Sequence, residues 1–174
     1  MGIDHKHILR QLGAGQPVSK ICKEVGLNED EFNDWWKGQL EIRLPDMQGS
    51  RTLNGVSGKG SIEIFRDEHG IPHIYADSDD DLFCGYGFAT AQDRLWQLDY
   101  LRRKAMGTLS EVLGVDGVEL DTTARIVGFK RIALEEASRL PQLTISRLKA
   151  FAKGINGAME EAKGQLPIEF DLLD

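Results

Sequence analysis

Few side chains in this sequence could do chemistry, and their spacing assembles no working set. His73 lies in an alternating apolar segment, where a lone histidine reads as a hydrogen-bonded structural residue rather than a base. His5 and His7 alternate near one end and make only a weak metal pair. Cys22 and Cys84 fall in separate segments, so they form neither a disulfide framework nor a zinc site; two such thiols agree with a reducing compartment. Lys153-Gly154-Ile155-Asn156-Gly157 does not follow a strand, so its glycines are no phosphate loop. Asp93 is the most informative acid. At 100° per residue it shares an arc of about 80° with Leu82, Tyr86, Ala89, Trp96 and Tyr100. A carboxylate on an apolar helix face must be paired, either with backbone amides or with an arginine from another element, and Arg66 on the first strand of the main body is one candidate. Arg94 points about 100° away from Asp93 and serves another partner. Arg102, Arg103 and Lys104 read as a solvated face near a helix C-terminus, where cations are favoured.

The elements that must position these residues divide into three stretches. In 1–40, Ile8, Leu9 and Leu12 begin one apolar face, and Val18, Ile21, Cys22 and Val25 recur at helical spacing. Gly26 is the expected C-cap and Asn28 the next N-cap, with Glu29, Asp30 and Glu31 in the first turn and Phe32, Trp35 and Trp36 as the apolar face. Three short helices with a glycine-containing turn resemble a helix-turn-helix. The helix that would read DNA is acidic, and 1–40 holds five basic against six acidic residues, which argues against phosphate binding. Residues 41–60 are crowded with Pro45, Gly49, Ser50, Asn54, Gly55, Ser57, Gly58 and Gly60 and read as a linker. In 61–174, Ile62, Ile64 and Arg66 alternate with Glu63 and Phe65 as a strand; Asp67-Glu68-His69-Gly70 is a turn with Gly70 at positive φ; residues 71–76 are a second strand, with Pro72 at an edge or at its start. Ser78 followed by Asp79, Asp80 and Asp81 starts a helix. Helical pattern then fills about 79–104, 107–113, 118–127, 130–139 and 142–162, with Gly107 as the stop of the first piece. Gly85 and Gly87 weaken that long helix by about 1 kcal/mol each, which implies close backbone approach by a neighbour.

The whole chain of 174 residues is long enough for one good core or a small domain with an appendage. Its net charge of −7 arises entirely in 61–174 and disfavours a dedicated nucleic-acid binder. No apolar run reaches the length of a membrane span, and the first residues lack the apolar core of a signal peptide. The protein is cytoplasmic if this N-terminus is native, and periplasmic or secreted if a leader has been removed. Physics alone gives a mostly helical α+β chain with an N-terminal β-hairpin in its main body.

Longer motifs go further. Arg66-Asp67-Glu68-His69-Gly70-Ile71-Pro72-His73-Ile74-Tyr75-Ala76 is followed by Gly85-Tyr86-Gly87-Phe88-Ala89-Thr90-Ala91-Gln92-Asp93-Arg94-Leu95-Trp96-Gln97-Leu98-Asp99. Arg102-Arg103, Gly107-Thr108-Leu109-Ser110-Glu111-Val112-Leu113-Gly114 and Leu166-Pro167-Ile168-Glu169-Phe170 come next, in order. This segment, 61–174, closely resembles the small (α) chain of the penicillin acylase family of N-terminal-nucleophile hydrolases. The resemblance implies a precursor that cuts itself into two chains, with the nucleophile, usually Ser, as the first residue of the large (β) chain. That residue's own α-amino group acts as base, so the small chain needs no catalytic histidine. The implied fold is a four-layer αββα sandwich that the small chain completes around the large one. The implied reaction is hydrolysis of a linear acyl-amide through an acyl-enzyme. On this reading there is no catalytic residue and no metal ligand in this chain, and Arg66, Asp67, Gly70, His73, Asp93, Arg94 and Gly107 are framework. No cofactor is needed for the chemistry; a structural calcium, where bound, belongs mainly to the partner chain. The family's acyl-pocket helix and acidic calcium ligand lie beyond the stretch matching 166–170, so neither is assigned to a residue here. The expected partners are the large chain and an acyl-amide substrate, with no nucleic acid and no membrane. The competing expectation is a binding, regulatory or structural module that uses the N-terminal helices and has no catalytic activity.

Overall fold

The computed structural model describes residues 4–44, 49–55 and 60–173. Pro45, Ser57 and Gly58 of the expected linker lie outside the described residues. The chain forms two compact units, one of residues up to 44 joined by 164 onward, the other of the residues between.

The first unit contains α1 (His5–Gly13), α2 (Val18–Val25), α3 (Glu29–Glu41) and α9 (Ile168–Leu172). Its caps are those the sequence dictates. Asp4 accepts from the His7 amide, Gly26 closes α2 at φ 76°, and Asn28 with Glu31 forms a reciprocal capping box on α3. Ile8, Ile21, Cys22 and Phe32 form its core, with Leu12, Val25, Trp35 and Trp36 packed around them.

The second unit begins with strand β1 (Gly49–Asn54), followed by β2 (Ser61–Arg66) and β3 (Pro72–Ala76). These make an antiparallel sheet in the order β1-β2-β3, with Leu53 opposite Ile62 and Ile64 opposite Ile74. The two-stranded hairpin expected from the sequence therefore supplies two strands of a three-stranded sheet, and β1, the third, occupies part of the expected linker. Gly-Ser-Arg-Thr-Leu-Asn carries no apolar alternation because most of β1 is exposed, so pairing with β2 rather than burial makes it a strand. In β2, Ile62, Ile64 and Arg66 point inward while Ser61, Glu63 and Phe65 point outward.

After the sheet come α4 (Asp79–Met106), α5 (Ser110–Leu113), a 3-10 turn at Gly114–Gly117, α6 (Val118–Val127), α7 (Phe129–Ala137) and α8 (Gln142–Glu161). Ser78 caps α4 through the Asp81 amide. The buried face of α4 is made of small residues: Cys84, Gly85, Gly87, Ala89 and Ala91, with Phe88 and Leu95. Leu82 and Tyr86, expected on the apolar face, are exposed. Two things overturn that arc. Arg94, at φ −144° and ψ 31°, breaks the helical phase midway. The glycines also let neighbours approach where no large side chain could fit. A Cβ on Gly85 would stand 2.7 Å from both Ile62 and Ile74 of the sheet. A Cβ on Gly87 would stand 2.1 Å from the Phe151 carbonyl of α8, and one on Gly154 would stand 1.9 Å from the Cys84 carbonyl of α4. Ala150, Gly154 and Ala158, one turn apart, make the facing stripe of α8.

Gly154→Ala is expected to force α4 and α8 apart and to destabilise the native protein by about 3 kcal/mol. Gly157→Ala meets only the Phe88 ring at 3.6 Å and is expected to be neutral or stabilising by up to about 1 kcal/mol through helix propensity. Thermal midpoints of the two variants decide this; equal midpoints would show that the crossing tolerates a methyl group.

Candidate functional site

The turn between β2 and β3 gathers most of the polar residues that the sequence singles out. Arg66 ends β2 with an inward-facing side chain that is only 4% exposed. Its guanidinium donates to both oxygens of Asp93 on α4, at 2.8 and 3.2 Å, to the Gly70 carbonyl at 2.9 Å and to Gln92 Oε1 at 3.3 Å. The expected clamp between sheet and helix is therefore present, and it holds the turn as well. A buried guanidinium satisfied by a bidentate carboxylate and a carbonyl avoids the cost of an unpaired charge.

Asp67 fixes the turn from the other side. Oδ1 accepts from the His69 and Ile71 amides, each at 2.9 Å, and Oδ2 faces His73 Nε2 at 3.1 Å. The His73 hydrogen bond and then the Ile71 amide hold this carboxyl below its ordinary range. Gly70 takes φ 75°, as expected, and donates to the Asp67 carbonyl. His73 is half-exposed and tied to this turn. Arg66, Asp67, Gly70, His73 and Asp93 thus form one cluster.

Gly107 belongs to a second cluster. It closes α4 at φ 68°, and its carbonyl accepts from Arg125 Nε at 2.8 Å. Asp121, buried on α6, accepts from the Leu109 amide at 2.7 Å and from the Ser110 amide and hydroxyl at 2.9 and 2.6 Å. Burial opposes its ionisation, but the Ser110 and Leu109 hydrogen bonds outweigh burial and lower its pKa. Asp121 therefore satisfies amides at the start of α5, which has no side-chain cap of its own.

Arg94 joins neither cluster; it is exposed and reaches Gln97 at 3.4 Å. The basic run at 102–104 is less solvated than its composition suggests. Arg102 and Arg103 both donate to Asp99, and Arg103 also pairs with Glu111 at 2.7 Å. Burial raises the Asp99 pKa, yet these arginines outweigh it and the net direction is downward. Burial pushes the Cys84 thiol up, so it is a packing residue rather than a nucleophile. His5 accepts from Trp35 Nε1 at 2.6 Å, and His7 faces Glu24 at 3.4 Å. Among the described residues, no group of three or more His, Cys, Asp or Glu is arranged to hold a metal ion, and no helix is long and apolar enough to cross a membrane.

The Penicillin amidase family profile matches residues 61–174. The chain belongs to the penicillin amidase family. It is 35% identical over 134 residues to penicillin acylase 2 proenzyme of Pseudomonas sp., covering 77% of this chain and 17% of that protein. It is 40% identical over 100 residues to penicillin G acylase of Escherichia coli, covering 58% of this chain and 12% of that protein. Acyl-homoserine lactone acylase QuiP of Pseudomonas syringae pv. tomato is 33% identical over 168 residues, covering 94% of this chain and 19% of that protein. Among solved structures, a thermostable penicillin G acylase from Alcaligenes faecalis matches with a TM-score of 0.61 at 33% identity, over 67% of this chain and 63% of that one. The chain thus spans less than a fifth of the length of these curated relatives.

In this member of the penicillin amidase family, sequence reasoning missed Asp121 and Asp99. Asp121 bonds residues eleven and twelve positions earlier, across a turn, which no helical or strand period reveals. Asp99 was accessible to reasoning: it lies three and four residues before Arg102 and Arg103, the spacing of helical ion pairs.

Asp93→Ala leaves the buried Arg66 charge without its carboxylate and is expected to cost about 2–4 kcal/mol. Arg66→Met removes the buried charge and leaves Asp93, about a third exposed, able to reach water, so it is expected to cost less. Urea denaturation of the native protein ranks the two, and the reverse order would refute the clamp. A lowered carboxylate pKa stabilises the fold above the unfolded value of about 3.9 and loses that contribution as pH falls through the folded value. The stability deficit of Asp121→Asn relative to wild type is therefore expected to be full at pH 7 and to shrink below about pH 4. A deficit independent of pH would show that Asp121 acts by packing alone.

Proposed function

We propose that this chain is the small-chain part of an autoprocessed amidohydrolase. In this reading its sheet and helices complete a four-layer αββα sandwich with a large chain from the same precursor. The observation that carries the proposal is the outward apolar surface of a chain whose main body belongs to the penicillin amidase family. Ile71 just before β3, Tyr75 on β3, Tyr86 on α4, Ile126 on α6 and Phe129 and Leu134 on α7 are all exposed. So much large apolar surface on elements of a hydrolase family calls for a protein partner.

The work of this chain is then to place and brace. Arg66, Asp67, Gly70, His73 and Asp93 hold the β2–β3 turn against α4; Gly107 turns the chain out of α4; Arg94 is left facing outward. Residues 61–174 with strand β1 supply this framework, 1–40 the helical appendage and the remainder of 41–60 the connection. Chemistry belongs to the first residue of the large chain. Its hydroxyl or thiol attacks the carbonyl carbon of a linear amide and passes its proton to its own α-amino group. The amine leaves with a proton, and water then hydrolyses the acyl-enzyme. Backbone and side-chain donors of the large chain stabilise the oxyanion. A structural calcium, where present, would be held mainly by that chain. The substrate class is an N-acylated small molecule, in keeping with relatives named as penicillin and acyl-homoserine lactone acylases.

Intact mass spectrometry of the natively purified protein, with N-terminal sequencing of any companion, tests this. The expected result is a larger companion chain beginning with Ser, Thr or Cys, together with amine release from N-acyl homoserine lactones or penicillins. Replacing that first residue by Ala is expected to abolish turnover. A chain purified without companion, or a companion with another first residue, would move the weight to a binding or structural role.

A further inference from the structure

The family-matched segment begins at residue 61, so the helices α1 to α3 lie outside it. Within their own compact unit they nevertheless carry a piece of that segment, helix α9 and its approach. Two contacts are specific. Gly13, the last residue of α1, stands so close to α9 that a Cβ there would lie 1.6 Å from the Leu172 carbonyl oxygen. Arg43, just past α3, donates to Asp171 at 2.6 Å. It is braced for this by a second guanidinium nitrogen on Gln39, at 2.7 Å to the carbonyl and 3.0 Å to Oε1. Between these points Leu9, Ile42 and Leu166 help to line an open cleft of about 570 Å³.

Helix α9 has five residues, and Pro167 at its N-cap provides no side-chain bond. A single turn of this length does not sustain itself in water, because helix nucleation is unfavourable and so few bonds follow it. Residues 166–173 are nevertheless all half-buried. Their order must come from what they pack against, and within their unit that includes the end of α1 at Gly13 and Arg43 in the turn after α3.

We propose that residues 5–43 are an intramolecular docking module whose ligand is the segment 166–173, and that they serve to order this part of the family-matched chain. The module is built as a recognition surface: a glycine admits the helix backbone, and a braced arginine takes Asp171. The proposal stands on these contacts and is independent of the enzymatic reading above.

Hydrogen exchange measured by mass spectrometry on the native protein tests it. Arg43→Asp and Gly13→Val are each expected to speed exchange in 166–173 by about tenfold or more, with α4 and α8 unchanged. The charge exchange Arg43→Asp with Asp171→Arg is expected to restore slow exchange. Protection at Ile21 and Cys22 reports whether the three-helix core survives each variant. Should Gly13→Val unfold that core, the Arg43 pair of variants decides alone. Wild-type exchange in 166–173 in Arg43→Asp, or no recovery in the double variant, would overturn the proposal.

Discussion

The second unit depends on one constraint: α4 must admit close neighbours on two sides, side chains of the sheet on one and the backbone of α8 on the other. Gly85 meets the sheet through Ile62 and Ile74, while Gly87 meets the Phe151 carbonyl of α8 and Gly154 returns the contact at the Cys84 carbonyl. Each helical glycine costs about 1 kcal/mol of propensity, so three of them within one packed layer require a return in packing. The return is a dense centre in which Cys84, Ala89, Ala91, Ala150 and Ala158 are buried with Phe88. Large side chains are displaced to the outside as a result. Tyr86 lies over Phe151 with ring centroids 5.3 Å apart and remains exposed, so the same geometry that closes the core creates the apolar exterior.

Polar residues then fix directions that apolar packing leaves free. Arg66 joins β2, the β2–β3 turn and α4 through one guanidinium, because its planar fork can serve a carboxylate and a carbonyl together. Asp67 and Asp121 do the corresponding work for backbone amides, each accepting two of them at the start of a new element. These carboxylates have the buried or hydrogen-bonded character often associated with catalysis, yet every one is consumed by structure. The lowered titration of Asp67 and Asp121 reports bracing of backbone amides.

How much was legible in the sequence followed from the range of the signal. Asn28, Gly26, Ser78 and Gly70 act on neighbours a few residues away, and their caps and turns stand where the spacing put them. That Asp93 needs a partner was legible because a carboxylate in an apolar arc demands one, with Arg66 one candidate beside backbone amides; the structure selects Arg66. The burial of that arc was not, since a wheel of constant 100° cannot foresee a break at Arg94, and hydrophobicity alone ranks Tyr86 above Gly87 for a buried face. Strand β1 was hidden for a related reason. It is made by pairing, and pairing leaves no mark on an exposed six-residue stretch.

The first unit shows the same limit at larger scale. Periodicity found its three N-terminal helices and their core, because each face is contained in a few turns of chain. It could not find that the fourth element comes from more than a hundred residues away, where Arg43 meets Asp171. A resemblance to helix-turn-helix modules rests on the three helices alone and directs attention to α3 as a reader of phosphates, which its Glu29, Asp30 and Asp34 make unfavourable. The contacts to α9 give these helices a different and sufficient occupation. A surface that already holds a helix by a glycine and a braced arginine has a ligand, and that ligand is its own chain.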